Sequence, residues 1–385
     1  VAPLSHERVV ALAQKLDLGR DIEASGDLSS KCFSRICTLA EGREWSTLKR
    51  AGEDVSRITF VGRTVLMEFA ARGDTAAVKG LIGNAIAVLD KGPEGQTPLH
   101  AAVSCNQPGA VEELMRLGVD CNASANMEFG KSVIQMTPVA LAVACGHLEC
   151  LQSLLKGPYL DLEVPYFETL LHLGALFDQL AVVEYLLDQE EPLGSQRMVF
   201  SELINTQDSW GRTPIATASW VGSAEMVKML HGRGAQLMLA DEEGRTALHW
   251  SVIGGHPFIA HFLAYHSPQL LGAIDKEARD PLALARAFVE MGAGKAHRQM
   301  ATLLGNLMHQ MGSGKLMPPR FRCRAPETFF FGKGPAPMAY LGAYQGLRKE
   351  RLLESLERVA GVSMGTLVAA ALAMRPENPE NAPLS

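Results

Sequence analysis

The feature that most constrains the fold of this chain is a short phrase that recurs at nearly even intervals. It reads Gly-Arg-Thr-Ala-Leu-His at 244–249 and Gly-Gln-Thr-Pro-Leu-His at 95–100. The copies begin at Thr64, Thr97, Thr137, Thr169, Thr213 and Thr246, with a degenerate copy at Asp280. Their intervals are 33, 40, 32, 44, 33 and 34 residues. A period in this range indicates one small helical unit that is copied many times and buries its faces against its neighbours.

Each copy contains what a pair of antiparallel helices needs. Threonine is a good helix N-cap because its hydroxyl accepts from an orphan amide of the first turn, and proline is tolerated just after it. Gly-His at 146–147 and at 255–256 predicts the end of the first helix, since glycine adopts positive φ cheaply. Apolar residues at helical spacing, as at Met226, Val227 and Leu230, predict a second amphipathic helix.

A period near 33 residues with a Thr-Pro-Leu-His opening resembles the ankyrin repeat. The resemblance implies a mainly α fold, an ankyrin-repeat solenoid of about seven or eight units whose surface binds a protein partner. We expect an N-terminal helix with a degenerate capping repeat at 1–56 and ankyrin repeats at 57–310. The helix of the first segment is predicted from Ser5 to Leu16.

The two long intervals place insertions at 122–136 and 190–208. In ankyrin arrays such insertions map to loops on the binding side. They predict partner-specific contacts, although a variable loop without function fits the same pattern because loops tolerate insertion.

Three histidines, His100, His172 and His249, occupy equivalent positions of the repeat. Metal binding or acid–base chemistry would need ligand spacing that does not accompany them. The resemblance to ankyrin repeats implies instead that each makes hydrogen bonds between adjacent repeats. Trp210, Trp220 and Trp250 are interpreted in the same way, as packing residues rather than a stacking platform.

Composition excludes several classes of function. With 36 basic and 42 acidic residues the formal charge is −6, so no nucleic-acid partner is expected. The seven cysteines lack a Cys-x-x-Cys pair, which favours a reducing compartment over a disulfide framework or a zinc site. We therefore expect a cytoplasmic protein without metal or cofactor, and we find neither a signal peptide nor a membrane span in the sequence.

Residues 311–326 read as a Gly/Pro linker that carries basic side chains. Its cations alternate with apolar residues, a mixture that can lie on an anionic bilayer surface. An ordinary solvated linker is an equal interpretation.

The last segment, 327–385, contains the pattern that suggests catalysis. A short apolar strand at 328–331 precedes a turn rich in glycine and proline, and a helix is predicted at 339–356. A strand tip at 358–360 then enters Gly361-Val362-Ser363-Met364-Gly365 and a helix at 366–374. Strand, sharp turn with serine at its apex, and helix form a nucleophile elbow, which presents Ser363 at a helix N-terminus.

The run from about residue 329 to 374 resembles the opening of a patatin-like phospholipase domain, and ankyrin repeats ahead of it resemble calcium-independent phospholipase A2. The resemblance implies that Ser363 attacks a phospholipid ester and that a downstream aspartate acts as base. The amides of Gly332, Gly334 and Met364 would form the oxyanion site, each donor being worth about 3 kcal/mol. It also implies a phospholipid or membrane surface as partner, with peripheral membrane location, if the domain is complete.

Two features separate the segment from that family. Pro337 offers no N–H where the oxyanion loop has glycine, and 20 residues follow Gly365, which leaves no room for the strand with the aspartate. Our first interpretation is an incomplete α/β patatin-like segment, a fragment of a lipid acyl hydrolase that is itself inactive. The alternative is a non-catalytic ankyrin-repeat adaptor or regulator with a patatin remnant. A third is that the elbow pattern is accidental.

Overall fold

A computed structural model of the chain describes residues 4–18, 28–52, 54–60, 62–84, 92, 95–129, 132–157, 160–162, 169–189 and 199–312. The described residues form two compact units. The first contains those up to Glu128 together with 133–142 and 147–161, and the second contains the rest.

The first unit is built from short helices and two small antiparallel hairpins. Its helices are α1 His6–Lys15, α2 Leu28–Glu41, α3 Trp45–Ala51, α4 Asp54–Arg57, α5 Val65–Arg72, α6 Thr75–Gly83, α7 Pro98–Ser104, α8 Pro108–Arg116, α9 Pro138–Cys145, whose last three residues fall in the second unit, and α10 Leu148–Leu155. Its strands are β1 Thr59–Phe60, β2 Arg63–Thr64, β3 Ala125–Phe129 and β4 Ser132–Met136. Strand β1 pairs with β2 through Thr59 opposite Thr64, and β3 pairs with β4.

The regular structure described in the second unit is helical, apart from Phe129 and Ser132 at the ends of β3 and β4. Its helices are α11 Leu170–Leu176, α12 Leu180–Leu187, α13 Pro214–Val221, α14 Ala224–Gly232, α15 Ala247–Ile253, α16 Pro257–His266, α17 Pro281–Glu290 and α18 Lys295–Gly312. Two 3-10 helices, Glu202–Asn205 and Pro268–Gly272, lie between them. The final helix ends two residues beyond the predicted limit of the repeats at 310.

Within each unit the helices pack as two layers. In the first unit α5 packs on α7, and α6 and α10 pack on either side of α8. In the second, α11, α13, α15 and α17 form one layer, and α12, α14 and α16 form the other, with α18 against the last pair. Apart from α2 and α18 the helices span ten residues or fewer, too short to be stable alone, so most of their stability comes from the apolar faces that they bury in this stacking.

The predicted caps are present. The Thr64 hydroxyl accepts from the Met67 amide at 3.3 Å, and Thr137 and Thr213 do the same three residues on. The degenerate copy is capped too, because the Asp280 carboxylate accepts from the Ala283 amide at 2.6 Å. Gly146 and Gly255 end their helices with φ of 72° and 71°, as the Gly-His pairs predicted.

Two expectations need correction. The first predicted insertion, 122–136, is not a plain loop, because most of it forms the hairpin of β3 and β4. No strands are predicted in the repeat region, whereas β1 and β2 also form there. The first hairpin ends at the repeat threonine Thr64 and the second ends directly before Thr137, so both occupy the place of the turn that joins one helix pair to the next.

Candidate functional site

The residues predicted for catalysis lie outside the described residues. Ser363, the elbow residues Gly361, Val362, Met364 and Gly365, and the oxyanion residues Gly332 and Gly334 all belong to this part of the sequence. The linker at 311–326 lies outside as well, apart from Met311 and Gly312, which end α18. The elbow therefore remains a prediction from the sequence.

The three repeat histidines hold neighbouring repeats together. In the first unit His100 Nε2 lies 3.0 Å from the Met136 carbonyl oxygen. In the second unit His172 Nε2 lies 2.9 Å from the Arg212 carbonyl oxygen, and His249 Nε2 lies 3.3 Å from that of Arg279. Each acceptor comes directly before the next cap residue, so every histidine fixes the entry to the following helix.

These contacts assign the protonation of the imidazoles. A carbonyl oxygen only accepts, so Nε2 carries the hydrogen and Nδ1 is left as an acceptor. At His100, Nδ1 accepts from the Thr97 amide at 3.2 Å and faces the Thr97 hydroxyl at 2.8 Å. Burial lowers the pKa of His172 to about 4 and lowers the pKa of His249 as well. The prediction of hydrogen bonding between repeats is confirmed, and these imidazoles are neutral structural groups.

Metal and thiol chemistry find no support in the part of the chain that the structure covers. No group of three or more His, Cys, Asp or Glu side chains is placed there to hold a metal ion. Burial raises the pKa of the Cys37 thiol to about 11 and that of Cys150 to about 12. A thiol needs to ionise near neutral pH to act as a nucleophile or ligand, so these two are packing residues.

Membrane insertion is not indicated by the described helices, since none combines the length and the mean hydropathy needed to cross a bilayer.

The second unit presents a series of three equivalent turns, each starting with aspartate and ending four residues later with arginine. The turns are Asp208–Arg212, Asp241–Arg245 and Asp275–Arg279. In each, one carboxylate oxygen accepts two backbone amides, those of the residues two and four positions on, at 2.7 to 3.0 Å. The turns are also joined, because the Glu242 amide donates to the Trp210 carbonyl at 3.2 Å and the Lys276 amide donates to that of Glu243 at 2.8 Å.

The second carboxylate oxygen distinguishes the middle turn from its neighbours. Arg212 Nε donates to Asp208 Oδ2 at 2.9 Å, and Arg279 Nε donates to Asp275 Oδ2 at 3.0 Å. In the middle turn the indole Nε1 of Trp250 donates to Asp241 Oδ2 at 3.0 Å instead. The Arg245 Nε is enclosed and has no acceptor among the described residues.

The pKa values of the carboxylates follow this exchange of partners. Burial raises the pKa of Asp241, and the donors around it, including the neutral Trp250 indole, do not reverse that effect. Burial also acts on Asp275, but hydrogen bonds and the charge of Arg279 outweigh it and hold the pKa of that carboxyl below its usual range. A charged donor stabilises a carboxylate more than a neutral donor does.

Three tryptophans surround the first of these arginines. The Arg212 guanidinium carbon lies 4.5 Å from the Trp210 ring centre, 5.5 Å from that of Trp250 and 5.7 Å from that of Trp220. Arg245 continues the row at 5.8 Å from the Trp250 ring. Cations this close to an aromatic face are attracted by its quadrupole.

The packing interpretation of the tryptophans holds for one of them and fails for another. Trp220 is 8% exposed and packs edge-on against Trp250, as predicted. Trp210, on the turn, contacts Arg212 but is 41% exposed, so much of its side chain faces solvent. Together, Trp210, Arg212, Arg245 and Trp250 form what we call the Trp/Arg surface.

Sequence reasoning missed this surface, although a signal for it exists. The residue nine positions after each turn aspartate is Thr217, Trp250 or Leu284. Of these only tryptophan combines a donor with the length to reach back to the carboxylate. An Asp-x-x-x-Arg turn with tryptophan four residues after the cap therefore predicts that the arginine is displaced.

Comparisons with known proteins agree with the repeat architecture. A family model for ankyrin repeats in three copies matches residues 46–125, and one for ankyrin repeats in many copies matches residues 200–249. Neither match reaches 327–385. The first begins inside the segment that we expected to be a degenerate capping region, where α3 lies.

Several curated relatives are similar over about half of this chain. Human inversin is 29% identical over 226 residues, which cover 57% of this chain and 20% of inversin. Palmitoyltransferase AKR1 from Saccharomyces cerevisiae is 29% identical over 195 residues, which cover 50% of this chain and 24% of that protein. This chain thus aligns with only about a fifth to a quarter of the length of these two relatives.

Two solved structures of ankyrin repeat domains are similar to this chain. The ankyrin repeat domain of Bcl-3 is 24% identical, with a TM-score of 0.46, and the match covers 63% of this chain and 99% of that one. The human ASB11 ankyrin repeat domain is also 24% identical, with a TM-score of 0.41 and coverage of 55% and 89%. Together with the family matches at 46–125 and 200–249, the helix pairs, caps and histidine contacts identify this chain as a carrier of ankyrin repeats, with a mainly helical ankyrin-repeat fold in its described part.

Proposed function

We propose that this protein is a non-catalytic ankyrin-repeat adaptor or regulator that binds a protein partner through exposed side chains on the turns of its second unit. The observation that carries this proposal is a contrast between residues that hold the repeats together and a large side chain that stays exposed. The caps bond the first turn of their own helices and the histidines bond the next repeat, whereas the turn position of Trp210 leaves a large aromatic side chain 41% exposed. Aromatic residues and arginine are the side chains enriched at the centres of protein interfaces.

The charge of the chain supports a protein as the partner. The formal charge is −6, and the turns that carry the Trp/Arg surface also carry exposed Glu242 and Glu243. A polyanion such as nucleic acid would be repelled by these carboxylates.

Site-directed photo-crosslinking tests the proposal directly. A photoreactive phenylalanine analogue is placed at position 210 of the full chain, in cells of the source organism, and adducts are identified by mass spectrometry. The matched control carries the analogue at Met291, which is 72% exposed at the end of α17. We expect a discrete protein adduct from position 210 and none from position 291. Equal labelling at both positions, or none at 210, would contradict the proposal.

A second candidate function is lipid acyl hydrolysis with Ser363 as nucleophile. The sequence Gly361-Val362-Ser363-Met364-Gly365, between a predicted strand and a predicted helix, favours it. A fluorophosphonate probe reacts with activated serines of this class, so labelling of the full chain and its loss in Ser363→Ala would support the candidate. Labelling that persists in Ser363→Ala, or no labelling of the unaltered chain, would count against it.

A further inference from the structure

In the middle turn of the second unit the guanidinium makes no hydrogen bond to the aspartate of its turn, although its charge still lowers the pKa of Asp241. In the two flanking turns the arginine closes on the aspartate of its own turn. Trp250 takes that position on Asp241, and no ion pair of Arg245 forms with the described residues, where its Nε also lacks an acceptor. An external partner cannot reach the enclosed Nε, so it would meet the terminal nitrogens of this half-buried side chain.

The surroundings of Arg245 favour one carboxylate as its missing partner. Glu243, on the same turn, lies 3.7 Å from Lys276, and Glu242 is exposed. A single unpaired guanidinium beside these acids can take one carboxylate, whereas a polyphosphate or an anionic bilayer would meet repulsion from the same acids. The planar guanidinium also fits a carboxylate through two parallel hydrogen bonds.

The rest of the Trp/Arg surface adds an apolar contact next to that site. The Trp210 and Trp250 rings both lie within 6 Å of the Arg212 guanidinium carbon, at 4.5 and 5.5 Å, so both rings contact the same side chain. Trp210 is 41% exposed, and its backbone is tied to the middle turn because the Glu242 amide donates to its carbonyl oxygen. A peptide that places a carboxylate on Arg245 can therefore place an apolar or aromatic side chain on Trp210.

We propose that the Trp/Arg surface binds an acidic peptide segment of a partner protein, with a carboxylate on Arg245 and a neighbouring apolar side chain on Trp210. This inference rests on the proposed adaptor function and names the chemistry of its partner. Trp250 acts as a positioning residue, because its bond to Asp241 keeps Arg245 open.

Selection from a phage-displayed library of random linear peptides on the immobilised full chain provides the probe. Enriched peptides are expected to contain Asp or Glu next to an aromatic or large aliphatic residue. Each is then synthesised with its acid intact and with Asp or Glu replaced by the amide. Losing the charged hydrogen bonds is expected to weaken binding about tenfold or more, and added salt should weaken only the acidic version.

Variants of the chain separate the two contacts. Arg245→Gln should weaken the acidic peptide about tenfold and remove its preference over the amide version, whereas Trp210→Ser should weaken both versions alike. Arg286→Gln, which removes an exposed arginine from α17, is the matched control and should leave binding unchanged. Circular dichroism melting confirms that each variant is folded.

Trp250→Phe tests the positioning role. Phenylalanine cannot donate to Asp241, so Arg245 should close on Asp241 as its counterparts do, and affinity for the acidic peptide should fall with the fold intact. Glu242→Gln should raise that affinity, because it removes a competing charge.

Two results would overturn the inference: enriched peptides without acids, or full affinity of the acidic peptide for Arg245→Gln. These leave the adaptor function standing if crosslinking at position 210 succeeds. Failure to enrich any peptide also overturns the inference, and only a failed crosslink in addition would remove the proposed function.

Discussion

The imidazole of His172 donates through Nε2 to the carbonyl oxygen of Arg212 at 2.9 Å and faces the Thr169 hydroxyl through Nδ1 at 2.9 Å. The ring is fully buried. It joins the helix pair of one repeat to the turn that carries the Trp/Arg surface of the next. In the neutral ring Nε2 donates and Nδ1 accepts from the Thr169 hydroxyl, so a second proton would place a charge in a site with no access to water.

We expect this contact to make stability depend on pH. Burial lowers the pKa of His172 from 6.5 to about 4 in the folded protein, so the unfolded chain binds the extra proton more readily between these values. The free energy of unfolding should therefore fall as pH is lowered from about 6.5 to 4 and level off below that. The loss from this group is on the order of 3 kcal/mol, and His249, whose pKa is lowered too, adds loss in the same direction.

Urea unfolding at a series of pH values measures this dependence, and His172→Gln is the control. Glutamine supplies an amide N–H and a carbonyl oxygen but does not titrate. The variant should be less stable at neutral pH, with a shallower dependence between pH 6.5 and 4. An unchanged slope would show that His172 does not hold the depressed pKa.

The third turn of the series contains a residue in a left-handed conformation that favours glycine. Ala278, with φ of 56°, occupies the place of Gly211 and Gly244 in the two preceding turns. An L-residue there costs about 1–2 kcal/mol, while glycine adds about 0.4–1 kcal/mol of unfolded-state entropy. We expect Ala278→Gly to stabilise the second unit by roughly 0.5–1 kcal/mol, read from the thermal midpoint.

Ala273→Gly is the matched control for that change. Ala273 has φ of −68°, which alanine adopts without strain. Replacing it by glycine should destabilise the protein by about 0.4–1 kcal/mol, because the only change is a higher conformational entropy of the unfolded chain. Equal effects of the two substitutions would mean that the conformation of Ala278 is not strained.

The first turn is expected to reject any side chain at Gly211. Its φ is 77°, and a Cβ there would lie 2.6 Å from the Glu242 amide nitrogen and 3.1 Å from the Asp241 Cα. Since the obstacle is the backbone of the next turn, the turns must separate, and Gly211→Ala should cost about 2 kcal/mol or more. Gly234 has φ of 93°, but a Cβ there would meet no atom within 4 Å. Gly234→Ala should therefore lower the free energy of unfolding by only about 1 kcal/mol. Chemical unfolding of both variants gives the stability lost in each, and the difference measures the clash of a Cβ at position 211 with the next turn. Equal losses of stability would show that this clash is absent.

The repeat framework could be predicted from sequence because its signals are local. A threonine cap, a histidine three residues later and a glycine at the end of the helix act within a single turn of helix, so Thr97 and His100 already indicate their contacts. The degenerate copy at Asp280 could be predicted for the same reason, since aspartate caps a helix as threonine does. The family resemblance added the carbonyl partner in the next repeat, which no local pattern contains.

The Trp/Arg surface could not be predicted because it depends on competition between distant donors. Arg212 and Arg245 stand in equivalent turns, and only the reach of Trp250 decides which arginine keeps its aspartate. Likewise Trp210 and Trp220 are the same residue type ten positions apart, one on a turn and exposed, the other inside a helix layer and buried. The β3–β4 hairpin was missed because an insertion length does not encode a strand pairing.

The close packing of α11 on α12 leads to the last prediction. A Cβ at Gly174 would lie 2.4 Å from Val183 Cγ2 and 3.6 Å from Val143 Cγ1, so Gly174→Ala should cost about 1–3 kcal/mol by overpacking.

Gly305, inside α18, has nothing within 4 Å of such a Cβ, and Gly305→Ala should instead stabilise by roughly 0.5–1 kcal/mol through helix propensity. The double variant Gly174→Ala/Val183→Ala removes the side chain in conflict, so its stability should exceed the sum of the two single effects by about 0.5 kcal/mol or more. Urea unfolding of the four variants gives the comparison, and strict additivity would show that Val183 is not what excludes a side chain at position 174.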